Sequence, residues 1–188
     1  MTTFTVHTKH SAPVASRPIL ERIEKAFGFV PNLYALFAES PAALQGALAI
    51  SEAFSKTSLS PAEQQLVALA VSEANDCEFC MAAHSTIAKH VANVAPALVA
   101  AARNREPLPD SKLDALVTFT RKVVEQRGFV ANADIAAFLG AGYTKAQLIE
   151  VLFGVGMKTF NNYMDHVAQT PLNDQFKAEA WRAKSRTA

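Results

Sequence analysis

The sequence predicts an all-α fold, and two observations carry that prediction. Apolar residues recur at the 3.6-residue spacing of amphipathic helices through most of the chain, and no stretch shows the alternation typical of a β-strand. Helix-start signals also recur, as serine or threonine followed by proline, or by an acid or amide three residues later. Helices without strands are expected to bury their apolar stripes against one another.

Four helices are predicted before residue 76. The first is an apolar stripe that stops at Gly28, a good C-terminal cap. Ser40-Pro41 starts another, because proline has a preset φ at the first helical position and serine can cap the free N–H groups. Ser60 and Glu63 form a capping box ahead of a strongly apolar run. The four helices are predicted over 19–27, 32–38, 41–55 and 61–75.

The second part of the chain continues the pattern. Asn75 and Asp76 are expected to cap a helix that carries Cys77 in its first turn, and Thr144 opens a second capping box. Gly154 and Gly156 weaken the long helix in which they lie, which suggests close packing against a neighbour. These helices are predicted over 77–91, 96–103, 111–127, 131–139, 145–167 and 171–181.

Size and composition favour one domain. The chain has 188 residues, half of them hydrophobic, so it can bury a substantial core over residues 17–188, preceded by an extended N-terminal arm at 1–16. The formal charge is +1 with no basic run, so a nucleic-acid partner is not favoured. No signal peptide or long apolar run stands out. We therefore expect a soluble protein of a reducing compartment, the cytoplasm, with no membrane partner.

The chemistry is concentrated in one motif. Cys77 and Cys80 are the only two cysteines, and His84 lies one helical turn further on, so the three share one helix stripe. A cysteine in the first helical turn faces unpaired N–H groups and the positive end of the helix dipole, which predicts a thiolate at Cys77. One thiolate can attack a peroxide and become a sulfenic acid, which the second thiol converts to a disulfide. The histidine, or a carboxylate behind it, would protonate the departing alkoxide.

Other interpretations of the motif remain open. The cysteines could be small core residues, or they could bind zinc together with His84 and either His90 or His166. Glu73, four residues before the first cysteine, is a candidate general base, although a glutamate near a helix end is more often a surface charge. His166 is a further candidate for the wall of the site. Several phenylalanines could form an apolar pocket.

The segment Leu59–His84, with its CxxCxxxH core, resembles the signature of the AhpD-like alkylhydroperoxidases of the carboxymuconolactone decarboxylase superfamily. Residues 28–34 and 159–166 are similar to two further stretches of that branch. The resemblance implies an all-helical AhpD-like domain with the CxxC at the N-terminal end of a helix. It also implies a homo-oligomer and a peroxidase that needs no metal or haem cofactor.

The resemblance also implies roles for individual residues. Cys80 would attack the hydroperoxide, Cys77 would resolve the intermediate, and His84 would relay protons. Gln65 stands where the family has the glutamate of its relay, so either Glu73 or Glu63 replaces that acid from a nearby position, or the enzyme is a slow peroxidase. A lipoyl or thioredoxin-like dithiol protein would return the enzyme to its reduced state.

Two other functions are compatible with the sequence. In one, oxidation of the cysteine pair makes the chain a redox-responsive or interaction protein without turnover. In the other, the chain is a decarboxylase-like lyase in which the cysteines no longer act.

Overall fold

The all-α prediction is confirmed by a computed structural model, which describes residues 4–183. Those residues form nine α-helices and two short 3₁₀ helices, and they contain no β-strand. The α-helices are α1 (Arg17–Phe27), α2 (Asn32–Phe37), α3 (Pro41–Ser55), α4 (Pro61–Ala74), α5 (Glu78–His90), α6 (Pro96–Asn104), α7 (Ser111–Glu125), α8 (Asn132–Gly140) and α9 (Lys145–Ala168). The 3₁₀ helices are Val14–Ser16 and Asp174–Glu179.

Helices α3, α4 and α9 begin where the sequence indicates, because side chains cap them. Ser40 accepts a hydrogen bond from the Ala43 N–H at the start of α3. Complete capping boxes start α4, at Ser60, and α9, at Thr144. Such caps satisfy backbone donors that have no partner inside the helix, and each typically stabilises the fold by about 1 kcal/mol.

Helix α4 lies at the centre of the molecule. It packs against α7, α5 and α9, and every residue from Leu66 to Ala74 is buried. Two apolar clusters meet at this centre, one involving α4, α7 and α9 and the other involving α1, α2, α3 and the start of α5. The first turn of α5, with both cysteines, belongs to the second cluster, so the motif is built into the core.

Residues 4–16 of the predicted N-terminal arm pack against the rest of the same chain. Residues 1–3 are outside the described part. The His7 N–H donates to the Ala35 carbonyl, and the His7 ring lies 2.7 Å from the Glu39 carboxylate. At the end of the arm, the buried Ser16 hydroxyl donates to the Ala38 carbonyl at 2.7 Å. These contacts attach the arm to α2.

The predicted C-terminal helix over 171–181 is wrong. Side-chain bonds hold the chain after Thr170 in a non-helical path: the Asn32 N–H donates to Asn173 Oδ1, and Asn32 Nδ2 donates to the Pro171 carbonyl, both at 2.8 Å. Within the described residues, which end at 183, only the 3₁₀ helix Asp174–Glu179 follows. Its buried Phe176 packs edge-on against Phe79 in α5, so this segment covers the cysteine motif.

The expectation of close packing holds for one glycine of α9 and not for the other. A Cβ at Gly154 would lie 2.6 Å from the Phe54 ring, which explains why only glycine fits there. A Cβ at Gly156 would meet nothing within 4 Å. Gly156 therefore has no packing reason within this chain.

Among the described helices, none combines the length and the apolar character needed to cross a bilayer.

Candidate active site

The cysteine motif lies at the junction between α4 and α5. Asp76 adopts a positive φ of 57°, and the chain turns there before α5 begins. Cys77 is the N-cap residue of α5, so Asn75 and Asp76 do not cap this helix, and Cys80 lies in the first turn. Both cysteines are free thiols that are 1% exposed or less.

Cys80 opens onto a cavity of about 180 Å³. The polar part of its wall includes Gln65, His84, Lys158 and Asn161. The rest is largely apolar and aromatic, with Phe27, Leu33, Tyr34, Phe54, Phe79, Met157 and Phe176 among the lining residues. Cys77 does not line this cavity, so a molecule bound there would meet Cys80 first.

His84 is held from both sides. The Lys158 ammonium lies 2.7 Å from His84 Nε2, and His84 Nδ1 lies 2.8 Å from Gln65 Oε1. An ammonium can only donate, so Nε2 accepts and the ring proton is on Nδ1, where it donates to the amide oxygen. Burial, followed by the positive charge of Lys158, lowers the pKa of His84 well below its usual value. The imidazole is therefore neutral at physiological pH.

Cys80 is the acidic thiol of the pair. Burial acts to raise its pKa, but hydrogen bonds from Cys77 and Asn162 and the charge of Lys158 outweigh it. The net effect lowers the pKa of Cys80 to about 7. The lowered pKa favours the thiolate, which is the reactive form of cysteine.

Cys77 behaves in the opposite way, and the expectation of a thiolate there is wrong. Its Sγ donates a hydrogen bond to Asp165 Oδ2 at 3.1 Å. Burial, interaction with Cys80 and the negative charge of Asp165 all raise the pKa of Cys77. Desolvation and a neighbouring anion outweigh the helix N-terminus at this position.

The structure brings Cys77 and His166 together but does not complete the predicted zinc set with His84. Both ring nitrogens of His84 are occupied by Gln65 and Lys158. In the described part of the chain, the one set of possible metal ligands is Cys77, Asp165 and His166, whose ligand atoms lie within 4.8 Å of one another. His166 is exposed and lies beside the site, in a shallow surface cleft that it shares with Asp165.

Comparison with known proteins agrees with this arrangement. The sequence profile of the Carboxymuconolactone decarboxylase family matches residues 36–112, a range that contains α3 to α6 and the whole CxxCxxxH motif. The chain has the AhpD-like helical fold, and its residues 36–112 match the carboxymuconolactone decarboxylase family. The family expected from the sequence is thus confirmed. No curated protein matches the chain.

Solved structures extend the likeness of this AhpD-like protein to nearly its whole length. An alkylhydroperoxidase AhpD core from Ralstonia eutropha JMP134, described as an uncharacterized peroxidase-related protein, is 22% identical, with a TM-score of 0.82 over 92% of this chain and 93% of that one. A peroxidase-related protein from Silicibacter sp. TM1040 is 18% identical, with a TM-score of 0.81 over 95% and 94%.

A third similar structure comes from a different enzyme. It is a cysteine-to-alanine variant of the debrominase Bmp8 in complex with 2,3,4-tribromopyrrole, with 16% identity and a TM-score of 0.81 over 95% of this chain and 96% of that one. At such identities the three structures show a shared fold.

The glutamates considered from the sequence lie elsewhere in this AhpD-like protein. Glu73 faces away from the cavity: its carboxylate lies 3.2 Å from Arg121 Nε and 3.6 Å from Arg105 Nη1. Glu63 completes the capping box of α4 and accepts a hydrogen bond from the Tyr143 hydroxyl at 2.9 Å. Neither lines the cavity, so the structure does not bring these candidate bases to Cys80.

Sequence reasoning missed three residues of the site, all on α9. Lys158, Asn162 and Asp165 are 7% exposed or less, although each is polar or charged. Their spacing of four and then three residues places them on one face of the helix. The available signal was the resembling stretch 159–166, which contains Asn162 and Asp165 and directly follows Lys158.

Proposed function

We propose that this protein is a thiol peroxidase that reduces organic hydroperoxides through a Cys77–Cys80 dithiol–disulfide cycle. One observation carries the proposal. Cys80, with a pKa of about 7, lines an apolar cavity beside the Lys158–His84 pair, and Cys77 lies behind it. A nucleophile, a proton donor and a binding surface for an organic group therefore share one cavity.

In the first step, the Cys80 thiolate attacks an oxygen of the hydroperoxide. An S–O bond forms, the O–O bond breaks, and the alkoxide leaves with the electron pair. Its proton comes from the Lys158–His84 pair, in which the ammonium hydrogen-bonds to Nε2 and both side chains line the cavity. Lys158 also stabilises the developing negative charge. The products are an alcohol and Cys80 sulfenic acid.

In the second step, the Cys77 sulfur attacks the sulfenic sulfur of Cys80. The S–S bond forms, and the hydroxide of the sulfenic acid leaves as water after gaining a proton. Asp165 accepts the Cys77 proton along the existing hydrogen bond of 3.1 Å. Overall, one hydroperoxide and two thiols give one alcohol, one water and one disulfide.

Gln65 orients His84 and does not act as the acid of a proton relay. Its amide oxygen accepts the His84 Nδ1 proton and holds Nε2 toward Lys158. An amide does not shuttle protons, so the positive charge of Lys158 takes the place of the glutamate relay that the family resemblance implies. With Lys158 in this role, the proposed cycle does not need Glu73 or Glu63.

Re-reduction requires an external dithiol. We infer that a lipoyl or thioredoxin-like protein supplies it, which is the partner that the family resemblance implies. Two electrons from the dithiol cleave the Cys77–Cys80 disulfide and leave both cysteines as thiols. The cycle proposed here needs no metal or haem.

The decisive experiment measures hydroperoxide consumption with dihydrolipoamide as the donor. Cumene hydroperoxide is the organic probe and hydrogen peroxide is the small one. We expect turnover in the wild type, with a higher kcat/KM for cumene hydroperoxide because the cavity wall is apolar. Cys80→Ser should abolish consumption, whereas Cys77→Ser should allow one turnover per site and then stop as sulfenic acid.

Three outcomes would contradict the peroxidase. An unchanged rate in Cys80→Ser would show that this thiol does not attack. Stoichiometric oxidation without turnover, with every dithiol donor, would favour a redox-responsive protein. Decarboxylation of a lactone substrate by Cys80→Ser would favour the lyase.

The debrominase likeness and the aromatic cavity wall favour a second candidate, reductive removal of bromine from a small aromatic ring. The balance uses the same two thiols: one aryl bromide and two thiols give the arene, a disulfide and hydrogen bromide. Bromide release from 2,3,4-tribromopyrrole, measured in parallel with peroxide consumption, decides between the two. The reaction with the higher kcat/KM, lost in Cys80→Ser, is the better assignment.

A further inference from the structure

Asn161 is a polar residue in the wall of the cavity whose hydrogen bonding is incomplete. It is 4% exposed, and no donor among the described residues reaches its amide oxygen, Oδ1. Its Nδ2 lies 3.8 Å from Met157 Sδ, and a thioether is a weak acceptor. Because buried polar groups are nearly always hydrogen-bonded, this amide oxygen indicates a partner that comes from outside the chain.

The next residue along the helix shows the contrast. Asn162 Oδ1 accepts a hydrogen bond from Asn75 Nδ2 at 3.0 Å, and Asn162 Nδ2 lies 3.4 Å from Ser72 Oγ. Both ends of the Asn162 amide are therefore held inside the protein. Within the described chain no comparable bond holds Asn161, and the last torsion of an asparagine side chain is soft. The Asn161 oxygen is thus able to turn to a donor that enters the cavity.

Three other polar side chains of this wall are donors or are paired with one another. Lys158, which lies one turn before Asn161 on α9, is a donor. His84 Nε2 accepts from Lys158, and Gln65 Oε1 accepts from His84 Nδ1. The rest of the wall is largely apolar and aromatic. A complementary ligand therefore has an apolar body, an O–H donor for Asn161 and an adjacent acceptor for Lys158.

An organic hydroperoxide has this chemistry. Its terminal O–H is a donor, its second oxygen is an acceptor bonded directly to the first, and its organic group is apolar. Asn161 and Lys158 are three residues apart on one face of α9, so an acceptor and a donor lie side by side there. A ligand without a donor would leave the Asn161 oxygen unpaired.

We propose that Asn161 binds the terminal O–H of the hydroperoxide and that Lys158 faces its second oxygen. The proposal rests on the peroxidase function inferred above and adds to it which oxygen is attacked. The Cys80 thiolate attacks the terminal oxygen: an S–O bond forms, the O–O bond breaks, and the alkoxide leaves with the electron pair and takes a proton from the Lys158–His84 pair. The terminal oxygen keeps its hydrogen as the sulfenic O–H, which stays bonded to Asn161. Sulfur is oxidised by two electrons and the peroxide is reduced by two.

The first test measures binding and needs no turnover. The alcohol formed from cumene hydroperoxide, 2-phenyl-2-propanol, has nearly the same shape as tert-butylbenzene, but only the alcohol has an O–H. The affinity of each is measured as protection of Cys80 from iodoacetamide in a Cys77→Ser background. The preference for the alcohol should fall roughly fivefold or more in Asn161→Leu, because one hydrogen bond is lost.

Ser51→Ala is the matched control for the binding test. The Ser51 hydroxyl also belongs to the cavity wall, but it donates to the Ala47 carbonyl at 2.8 Å. Since this hydroxyl is already paired inside the protein, Ser51→Ala should keep the preference for the alcohol. A preference that Asn161→Leu leaves unchanged overturns the proposal.

The second test separates a binding role from a structural one. Asn161→Leu should lower kcat/KM for cumene hydroperoxide roughly 10-fold or more. Its thermal unfolding midpoint should stay the same or rise, because leucine has the same branched shape and removes a buried acceptor that lacks a protein partner. The pH midpoint of Cys80 alkylation should stay unchanged, since other side chains, chiefly Cys77 and Lys158, shift the Cys80 pKa. A lower unfolding midpoint with an unchanged kcat/KM would show a structural role and overturn the proposal.

The two tests also keep this site apart from the peroxidase itself. If the wild type consumes no hydroperoxide with any dithiol donor but its preference for the alcohol depends on Asn161, the peroxidase function is wrong and the O–H site is supported. If Cys80→Ser abolishes consumption while Asn161→Leu changes neither kcat/KM nor the preference for the alcohol, the peroxidase is supported and the role of Asn161 is overturned.

Discussion

Gln65 and Lys158 determine the charge of His84, the histidine of the proposed proton relay. With an amide at Gln65, the imidazole has no carboxylate on its Nδ1 side, and on its Nε2 side it meets the Lys158 ammonium. A carboxylate at that position would favour an imidazolium, whereas this arrangement keeps the ring neutral. In the proposed cycle, the positive charge that stabilises the thiolate and the departing alkoxide therefore comes from Lys158.

The role of Lys158 leads to a prediction about pH. Because a nearby cation favours the thiolate, Lys158→Met should raise the Cys80 pKa above its value of about 7. The thiolate fraction, and with it the rate of alkylation by iodoacetamide at pH 7, should then fall several-fold. The measurement is the pH profile of alkylation in a Cys77→Ser background, which isolates Cys80.

Lys158→Arg is the control for charge. This variant keeps the cation, so the midpoint of its alkylation profile should stay closer to pH 7 than that of Lys158→Met. In the protein with Lys158, the profile should rise once as pH increases and show no separate step near 6.5, because His84 stays neutral there. An unchanged midpoint in Lys158→Met would argue against the proposed role.

Asp165 gives a prediction that separates a base from a structural contact. The negative charge of Asp165 raises the pKa of both cysteines, so Asp165→Asn makes both thiols more acidic. If Asp165 only perturbed these pKa values, disulfide formation would become faster. If Asp165 is the proton acceptor for Cys77, replacing it should instead slow disulfide formation roughly 10- to 100-fold.

Single-turnover kinetics can measure the two steps of the Asp165→Asn variant separately. Consumption of the first hydroperoxide should be as fast as in the wild type, since Cys80 stays at least as acidic. Sulfenic acid should accumulate and react with dimedone. A disulfide that forms as fast as in the wild type would mean that Asp165 is not the base.

The limits of sequence reasoning at this site have a physical cause. Cys77, Cys80 and His84 could be recognised because they are close in sequence and share one helix stripe. Lys158 and Asp165 lie more than 70 residues further along, and only the packing of α9 against α4 and α5 brings them to the thiols. The relative acidity of the cysteines depends on these distant charges, so the helix-start argument gave the wrong thiolate.

Element boundaries were more predictable than contacts between elements. Capping is local, so Ser40, Ser60 and Thr144 marked helix starts correctly. The C-terminal segment failed because its conformation depends on Asn32, about 140 residues away in sequence. A proline start signal does not make a helix when tertiary hydrogen bonds hold the backbone extended.

The two glycines of α9 provide a matched prediction about helix packing. Gly154→Ala should lower the free energy of unfolding by about 1–2 kcal/mol, because its Cβ would overlap the buried Phe54 ring and the strain exceeds the gain in helix propensity. Gly156→Ala should raise the free energy of unfolding by up to about 1 kcal/mol. Chemical denaturation measures both changes, and equal effects would contradict this packing.

Across the whole molecule, the site lies where the two apolar clusters meet. The first turn of α5 belongs to one cluster, while Met81 and α4 extend into the other. Mutations that loosen either cluster therefore move the thiols relative to α9. All-α architecture was predictable from periodicity alone, but this convergence of α4, α5 and α9 required the packed structure.

Replacing Glu73 tests whether its buried charge contributes to stability or to catalysis. Its carboxylate joins α4 to Arg121 of α7, and Arg121 Nη2 donates to the Ala102 carbonyl of α6 at 2.8 Å. Three helices thus meet at one ion pair, in which Glu73 is 9% exposed and Arg121 is 7% exposed. Neutralising one partner leaves a buried, uncompensated charge, so Glu73→Gln should lower the free energy of unfolding by about 3 kcal/mol.

The same variant should leave the chemistry of the folded protein intact. Cys80 alkylation and single-turnover peroxide consumption by Glu73→Gln should match the wild type below its unfolding transition, because Glu73 does not line the cavity. Glu52→Gln is the control: it breaks the exposed pair with Lys56 and should leave stability unchanged. A Glu73→Gln protein that is fully stable but slow in peroxide reduction would indicate that Glu73 has a catalytic role.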